Sequence, residues 1–441
     1  MRAGACKIAR SVVSSLPVSI RIPHHHRGAG MAAPRVYVLG GFQTDFAKNW
    51  SRSGEDISTI IRDTALGALS ACDMPPEDIQ TIHVGNAFGE LHRNQAHLGA
   101  MPASTIPAFY GTPASRHEAA CASSSIAVLA AMAEIEAGRY GCALVLGAEE
   151  ERNVHGDQAA KNQAAAAWVG HEGQDAKFMW PHMFSTLGDE YDRRFGLKYE
   201  HLGRIAEINL GNAKRNPNSQ TRAWKYTDAS FREDDAANPV IEGRIRRQDC
   251  GQITDGGAAV VLASAEVAAA YAKRRGGTLE QLPYIAGWGH RTASLLMSEK
   301  LERSRGQPYV LPHVREAITA AWARAGIAGP EALDGIETHD CFTTTEYMAI
   351  DHFGLTAPGE SWKAIEAGDI AMDGKLPVNP SGGLIGTGHP VGATGARMLL
   401  DAAKQVTGTA GDCQVEGAAT FQTLNIGGSC TTVVSLVVTR G

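Results

Sequence analysis

At 441 residues the chain has room for two large domains or three ordinary ones, and 44% hydrophobic with 20% charged residues is a globular balance. A formal charge of -6 excludes a global nucleic-acid footprint, and no apolar run reaches the roughly 18 residues that a membrane-spanning helix needs. The eight cysteines show neither metal-ligand nor paired spacing, so no metal centre and no disulfide framework is expected, which fits a reducing compartment.

Residues 1–30 stand apart. Arg2, Lys7, Arg10, Arg21 and Arg27 occur there without a single acidic residue, and serines alternate with Val12, Val13, Leu16 and Ile20. This is the composition of an organellar transit peptide. The expectation is a mitochondrial address, with a peroxisome-type organelle as the alternative and a mature start near Met31.

From Arg35 the pattern becomes that of alternating strands and helices. A strand is expected at Val36–Leu39 and a helix from Ile57 to Ala71, with Ile60, Ile61, Ala65, Leu66 and Leu69 on its apolar face. Another strand follows at Thr81–Val84, then loop and short helix to Thr112. A helix from Ala122 to about Ala137 should bury a stripe of Ile126, Leu129, Ala130 and Ala133, with Gly138 as its stop. A buried strand is expected at Cys142–Leu146. The polar segment 152–249 reads as an excursion over the site, with helices near Phe184–Phe195 and Tyr199–Lys214. A strand at Ala258–Ala263 resumes the core.

The chain repeats itself. Arg62 opens a helical stretch ending before Pro76-Glu77-Asp78-Ile79, and Arg315 opens another ending before Pro330-Glu331-Ala332-Leu333. A short strand and a small-residue helix start follow each. Asp255 to Val261 is echoed by Gly427 to Val434. Two such copies imply two α/β halves related by a pseudo-twofold, with a site drawn from both. The expected segments are 31–151 with 250–285 for the first half, 152–249 for the loop domain and 286–441 for the second half.

Four loops carry chemistry. Cys121 sits among small residues at a helix start, where unpaired N–H groups and the helix dipole are expected to favour thiolate. The matching loop in the second copy, Gly386 to Gly395, holds His389, an imidazole placed to take a proton from a thiol. The third, Thr338-His339-Asp340-Cys341-Phe342, puts a second histidine and cysteine at a strand end. A capped strand-to-helix turn, with Asp340 or Thr343 as the cap, is its plainer reading. The fourth, Thr423 to Ser429, is a glycine turn whose N–H groups suit an oxyanion.

Cys121-Ala122-Ser123 and the Gly388-His389-Pro390 loop with its trailing Gly-Ala-Thr-Gly make the chain resemble the thiolase family from Arg35 to the C-terminus. His339-Asp340-Cys341-Phe342 stands where most thiolases carry Asn-Glu-Ala-Phe, which looks like the sterol-carrier-protein type. Asn425-Ile426-Gly427 stands where the family usually has Cys-x-Gly, so the usual acid/base cysteine is missing and Cys341 is the candidate replacement. The resemblance implies a thiolase-like α/β fold with αβαβα layers and an inserted loop domain. It also implies thiolytic cleavage of 3-ketoacyl-CoA, or the reverse condensation, without a cofactor and with CoA as a substrate. Cys121 would be the nucleophile, His389 its activator, Cys341 the acid/base, and His339 and the Gly427 N–H the oxyanion donors. His182-Met183 would line the pantetheine channel. Arg244, Arg246, Arg247, Lys214 and Arg215 are candidates for the CoA phosphates, and a homodimer or homotetramer is expected. A decarboxylating ketoacyl synthase of the same superfold and a non-catalytic thiolase-like CoA- or lipid-binding protein are the alternatives.

Overall fold

The structure, a computed structural model, describes residues 34–441. The expected transit peptide and its junction near Met31 lie outside them. The first helix shows how local sequence sets an element. In α1 (Ile57–Cys72), Asp56 accepts from the Ser58 N–H at 2.9 Å and caps the start, while Ile57, Ile60, Ile61, Ala65, Ala68 and Leu69 bury one face at helical spacing.

Nine strands form one sheet: β1 (Val36–Gln43), β2 (Thr81–Gly85), β3 (Ala114–His117), β4 (Cys142–Glu149), β5 (Gly256–Ser264), β6 (Pro283–Thr292), β7 (Gly335–Thr338), β8 (Thr420–Gly427) and β9 (Thr432–Arg440). Their order is β3-β2-β4-β5-β1-β6-β9-β8-β7. The duplication is visible in the pairing. In the first half β1–β5 and β5–β4 are antiparallel and β4–β2 parallel. In the second, β6–β9 and β9–β8 are antiparallel and β8–β7 parallel. The half-sheets meet only at Val36↔Ile285 and Tyr37↔Tyr284. Short β3 continues β2 in parallel, and the single bridge Ile336↔Val378 does the same for β7.

Helices α2 (Ser123–Glu136) and α7 (Thr394–Thr407) pack on each other between the half-sheets. α1 covers the outside of the first half-sheet and α5 (Pro312–Ala325) the outside of the second. The result is the αβαβα layering. Strands β4 and β5 are covered on both faces and therefore read as near-continuous apolar runs.

The excursion between β4 and β5 holds α3 (Met179–Phe195), α4 (Tyr199–Ala213) and a small hairpin at Val240–Glu242 and Ile245–Arg246. α6 (Thr343–Phe353) follows β7 and is buried along its whole length.

The buried face of α2 differs from the expected stripe. Ala127, Val128, Ala131, Met132 and Ile135 are buried, Ile126 and Leu129 are half-buried, and Ala133 is exposed. The helix turns its 127, 128, 131, 132 and 135 positions, small and large alike, into the central layer.

Candidate active site

The two helices of the central layer begin alike. A 3-10 turn at Ala120–Ala122 runs into α2, and one at Val391–Ala393 runs into α7. The two turns touch. Cys121 and His389 thus face each other because the sequence is duplicated, as the matching loops predict. Close approach needs glycine: a Cβ on Gly395 would lie 2.2 Å from Ser125 Oγ.

The loop before Cys121 is held under strain. Ala120 has φ of 50°, a left-handed conformation that costs a non-glycine residue about 1 kcal/mol. Its N–H donates to Glu118 Oε1 at 2.6 Å, and its carbonyl accepts from Ser123 Oγ at 2.6 Å. Ser123 also accepts from the Ala119 N–H at 3.0 Å, so the serine two residues after the cysteine fastens both sides of the bend.

One ligand atom each of Cys121, His339 and His389 falls within a mutual 4.8 Å. Cys341 lines the same cavity, of about 70 Å³, as Cys121, His389 and Gly428. Phe88, Trp180, Phe184, Phe342 and Val391 wall it. His339 stands behind, 1% exposed, its ring edge-on to His389 at 5.3 Å.

Hydrogen bonds fix opposite tautomers on the two imidazoles. Thr394 Oγ1 donates to the Pro390 carbonyl at 3.0 Å, so its 2.6 Å contact with His389 Nδ1 must be donated by the histidine. His389 Nε2 is then a free lone pair, and it has no partner. Ser125 Oγ donates to Asn425 Oδ1 at 2.7 Å, which turns the Asn425 amide N–H₂ toward His339 Nδ1 at 3.2 Å. His339 Nε2 must then carry the proton, and it too lacks a partner. One ring offers a base and the other a donor. Burial, with the Arg397 guanidinium next, pushes His389 down to about 3, and burial followed by His389 and Arg397 holds His339 well below the usual range. Both are neutral.

Burial also reverses the expectation of a thiolate. The Cys121 thiol is pushed up to about 12, chiefly by loss of water and then by nearby Glu151, against the pull of the Gly428 and Cys121 N–H groups. The helix start cannot offset the desolvation, so proton transfer to His389 must accompany attack. Cys341 is raised well above its ordinary value by burial and by Cys121, and its Sγ lies 3.6 Å from Thr345 Oγ1.

Asp340 is not the cap of α6. It accepts from the Leu384 and Ile385 N–H groups at 2.5 and 3.2 Å, tying the Cys341 loop to the segment before His389. The end of the excursion threads between these loops. Cys250 bridges to Phe342, Ile253 bridges to His389, and the His389 N–H donates to Thr254 Oγ1 at 2.9 Å.

Other expected residues fall elsewhere. His182 and Met183 do not line the cavity. Met183 is 2% exposed in the core, and α3 presents Trp180 and Phe184 to the site. The loop N–H that bears on Cys121 Sγ belongs to Gly428, one residue beyond Gly427. Arg244 is paired with Asp189 and Asp192, and Arg246 with Asp235, whereas Arg247, Lys214 and Arg215 are exposed. Asn425 as an orienting group follows from no short-range pattern, since it acts across loops, whereas Thr394 lies in the His389 loop itself, five residues on.

Two family models match the chain: Thiolase, N-terminal domain, over residues 36–223, and Thiolase C-terminal domain-like, over residues 297–440. The chain is similar to the acetyl-CoA acetyltransferase of Methanothermobacter thermautotrophicus, 29% identical over 92% of this chain and 99% of that one. It is also similar to sterol carrier protein 2 of Rattus norvegicus, 28% identical over 91% and 72%. Among solved structures, an Ltp2-ChsH2(DUF35) aldolase matches with a TM-score of 0.72 at 19% identity, over 93% of this chain and 99% of that one. Human mitochondrial 3-ketoacyl-CoA thiolase in complex with CoA matches with a TM-score of 0.65 at 15%, again over 93% and 99%. With a thiolase model matching each half of the chain and a half-buried cysteine facing two imidazoles, the chain belongs to the thiolase family of acyltransferases.

Proposed function

We propose that the protein cleaves 3-ketoacyl-CoA with CoA, or runs the reverse condensation, through an acyl group on Cys121. The observation that carries this reading is the meeting of Cys121, His339 and His389 within 4.8 Å, beside a second thiol in one cavity. As Cys121 Sγ attacks the ketone carbon, His389 Nε2 takes its proton. The oxyanion is met by the N–H groups of Cys121 and Gly428, each worth about 3 kcal/mol. The C2–C3 bond breaks and leaves acetyl-CoA enolate, whose thioester oxygen accepts from His339 Nε2–H. The Cys341 thiol protonates C2. An incoming CoA thiol gives its proton to the Cys341 thiolate and attacks the acyl carbon, and Cys121 leaves with the proton held by His389.

Neutral His339 serves this scheme better than a cation would. It donates to the enolate without repelling the protonated His389 beside it. The small cavity suits a short acyl head, so a longer chain would need the aromatic walls to move. The exposed, singly paired β3 edge supports self-association as a dimer or tetramer, and the basic leader supports a mitochondrial location.

Labelled acetyl-CoA tests the reading. Label should appear on Cys121, and α-carbon hydrogens of acetyl-CoA should exchange with solvent. Cys341→Ala should keep the label and lose the exchange. Exchange at the wild-type rate in that variant would remove Cys341 from the mechanism. Loss of acetoacetyl-CoA enolate absorbance on adding CoA separates thiolysis from decarboxylative condensation.

A further inference from the structure

The turn joining β8 to β9 is strained and clamped from behind. Gly428 has φ of 62° and Cys430 φ of 61°, the second a left-handed conformation without glycine's freedom. The turn closes through the Cys430 N–H to the Gly428 carbonyl at 2.9 Å and the Thr431 N–H to the Gly427 carbonyl at 2.9 Å. Such strain persists only where the surroundings over-determine it. Two side chains do so here. His313 Nε2 lies 2.8 Å from the Cys430 carbonyl. Lys300 Nζ reaches Ser429 Oγ at 2.7 Å, Thr431 Oγ1 at 3.1 Å, the Ser294 carbonyl at 3.0 Å and the Leu295 carbonyl at 3.4 Å.

Lys300 is 4% exposed, and among the described residues no carboxylate lies within ion-pair distance of it. Its partners are all neutral oxygens. Ser429 Oγ and Thr431 Oγ1 donate to the Leu295 and Ser294 carbonyls at 3.0 and 3.2 Å, which turns their lone pairs toward the ammonium. A buried cation with no carboxylate in contact, only Glu172 and Glu299 at longer range, is an expensive way to fasten a turn, and an apolar side chain of the same volume would pack more cheaply. The arrangement makes sense if the turn must hold N–H groups where negative charge develops.

We propose that Lys300 is a positioning residue for acyl transfer: its ammonium grips the 427–431 turn from behind and keeps the Gly428 N–H aimed at the oxygen of the carbonyl that Cys121 attacks. The inference rests on the reading of Cys121 as the acyl carrier. The thiol chemistry feels Lys300 only through the Gly428 N–H that bears on Cys121 Sγ, whereas acylation also needs that N–H for the oxyanion, which separates two measurements. Acylation of Cys121 by acetyl-CoA builds an oxyanion, whereas alkylation by iodoacetamide does not.

In Lys300→Met, acylation should slow about 10- to 100-fold, as for a misplaced oxyanion donor, while alkylation stays within about twofold. Burial, opposed by Cys430, Glu172 and Glu299 and with His313 on the same turn, pushes Lys300 down to about 8, so wild-type acylation should also fall as pH rises through that value, and the limb should be absent in the variant. Should Lys300→Met fail to fold, Ser429→Ala removes one grip at the turn and should slow acylation alone by about threefold or more. A folded Lys300→Met that acylates at the wild-type rate, or slows equally in both reactions, overturns the clamp. Wild-type protein that takes no acetyl label overturns the acyl-transfer reading itself, and the clamp with it.

Discussion

Strands β4 and β5 in the first half correspond to β8 and β9 in the second, and both pairs are antiparallel neighbours. Their connections could hardly differ more. β8 passes to β9 through the strained turn at residues 428–431, while β4 reaches β5 through the excursion at 150–255. The turn brings the Gly428 N–H to the site, beside Asn425 near the end of β8. The excursion brings apolar walls, Trp180 and Phe184, and the segment 250–254 that ties the Cys341 and His389 loops together. One scaffold, copied twice, has put a backbone donor for developing charge on its short connection and apolar walls on its long one.

The largest effects should come from what the halves share, the helix starts. Cys121→Ala should abolish acetyl labelling. His389→Ala should keep the thiol but slow acylation about 10²- to 10⁴-fold, the range for a lost general base. A fully labelled Cys121→Ala protein would break the equivalence of the two loops outright. Next comes the short-connection side. Asn425→Asp should present a carboxylate to His339 Nδ1 in place of an N–H₂, moving the imidazole proton to Nδ1 and leaving a lone pair toward the enolate. Exchange at the α-carbon should fall about 10²-fold, with Cys121 alkylation preserved. Equal loss in both measurements would show that Asn425 does no more than hold the fold.

Much of this was legible in the chain. The α1 helix ends within one residue of the expected end, although Leu66, expected on its apolar face, is exposed, and the repeated spacing pointed to a shared site with Cys121 and His389 at matching loop positions. Where the structure differs from the expectation, or places a residue outside the cavity, the reasons are physical. His182 and Met183 are neighbours on a helix, and adjacent helical side chains diverge by about 100°. The residues that share the cavity face are Trp180 and Phe184, four apart. β3 escaped notice because Ala-Ser-Arg-His at an exposed edge shows no apolar alternation. The thiolate expectation weighed the helix start and could not see the burial. Lys300 lies about 130 positions from Ser429, and no local pattern connects them.

The excursion side should respond more gently. Trp180→Ala enlarges the cavity without touching a reacting group. Acetylation of Cys121 should stay within about threefold, while thiolysis should shift toward longer acyl chains through KM. A large fall in acetyl labelling would move Trp180 from the wall into the chemistry, and the division between connections would lose its meaning.

The smallest effect concerns the root of the excursion. Glu151 is fully buried, accepts from Gln163 Nε2 at 3.2 Å through Oε1, and leaves Oε2 without a partner. Burial, then the neighbouring Glu149, raises its carboxyl well above the ordinary range, so the folded protein holds this proton where the unfolded chain has lost it. A raised acid stabilises the fold fully only below its unfolded value, near 4.5, and that contribution fades as pH climbs toward the folded value. Glu151→Gln cannot ionise and so escapes the loss. Its Tm relative to wild type should therefore rise steadily from pH 5 to pH 8, with acylation of Cys121 nearly unchanged. A Tm difference that stays flat over this interval would mean that Glu151 is already ionised in the fold. Its charge would then act on the Cys121 thiol across the whole working range and not only at high pH, and the excursion would be taking part in the chemistry through its first residues.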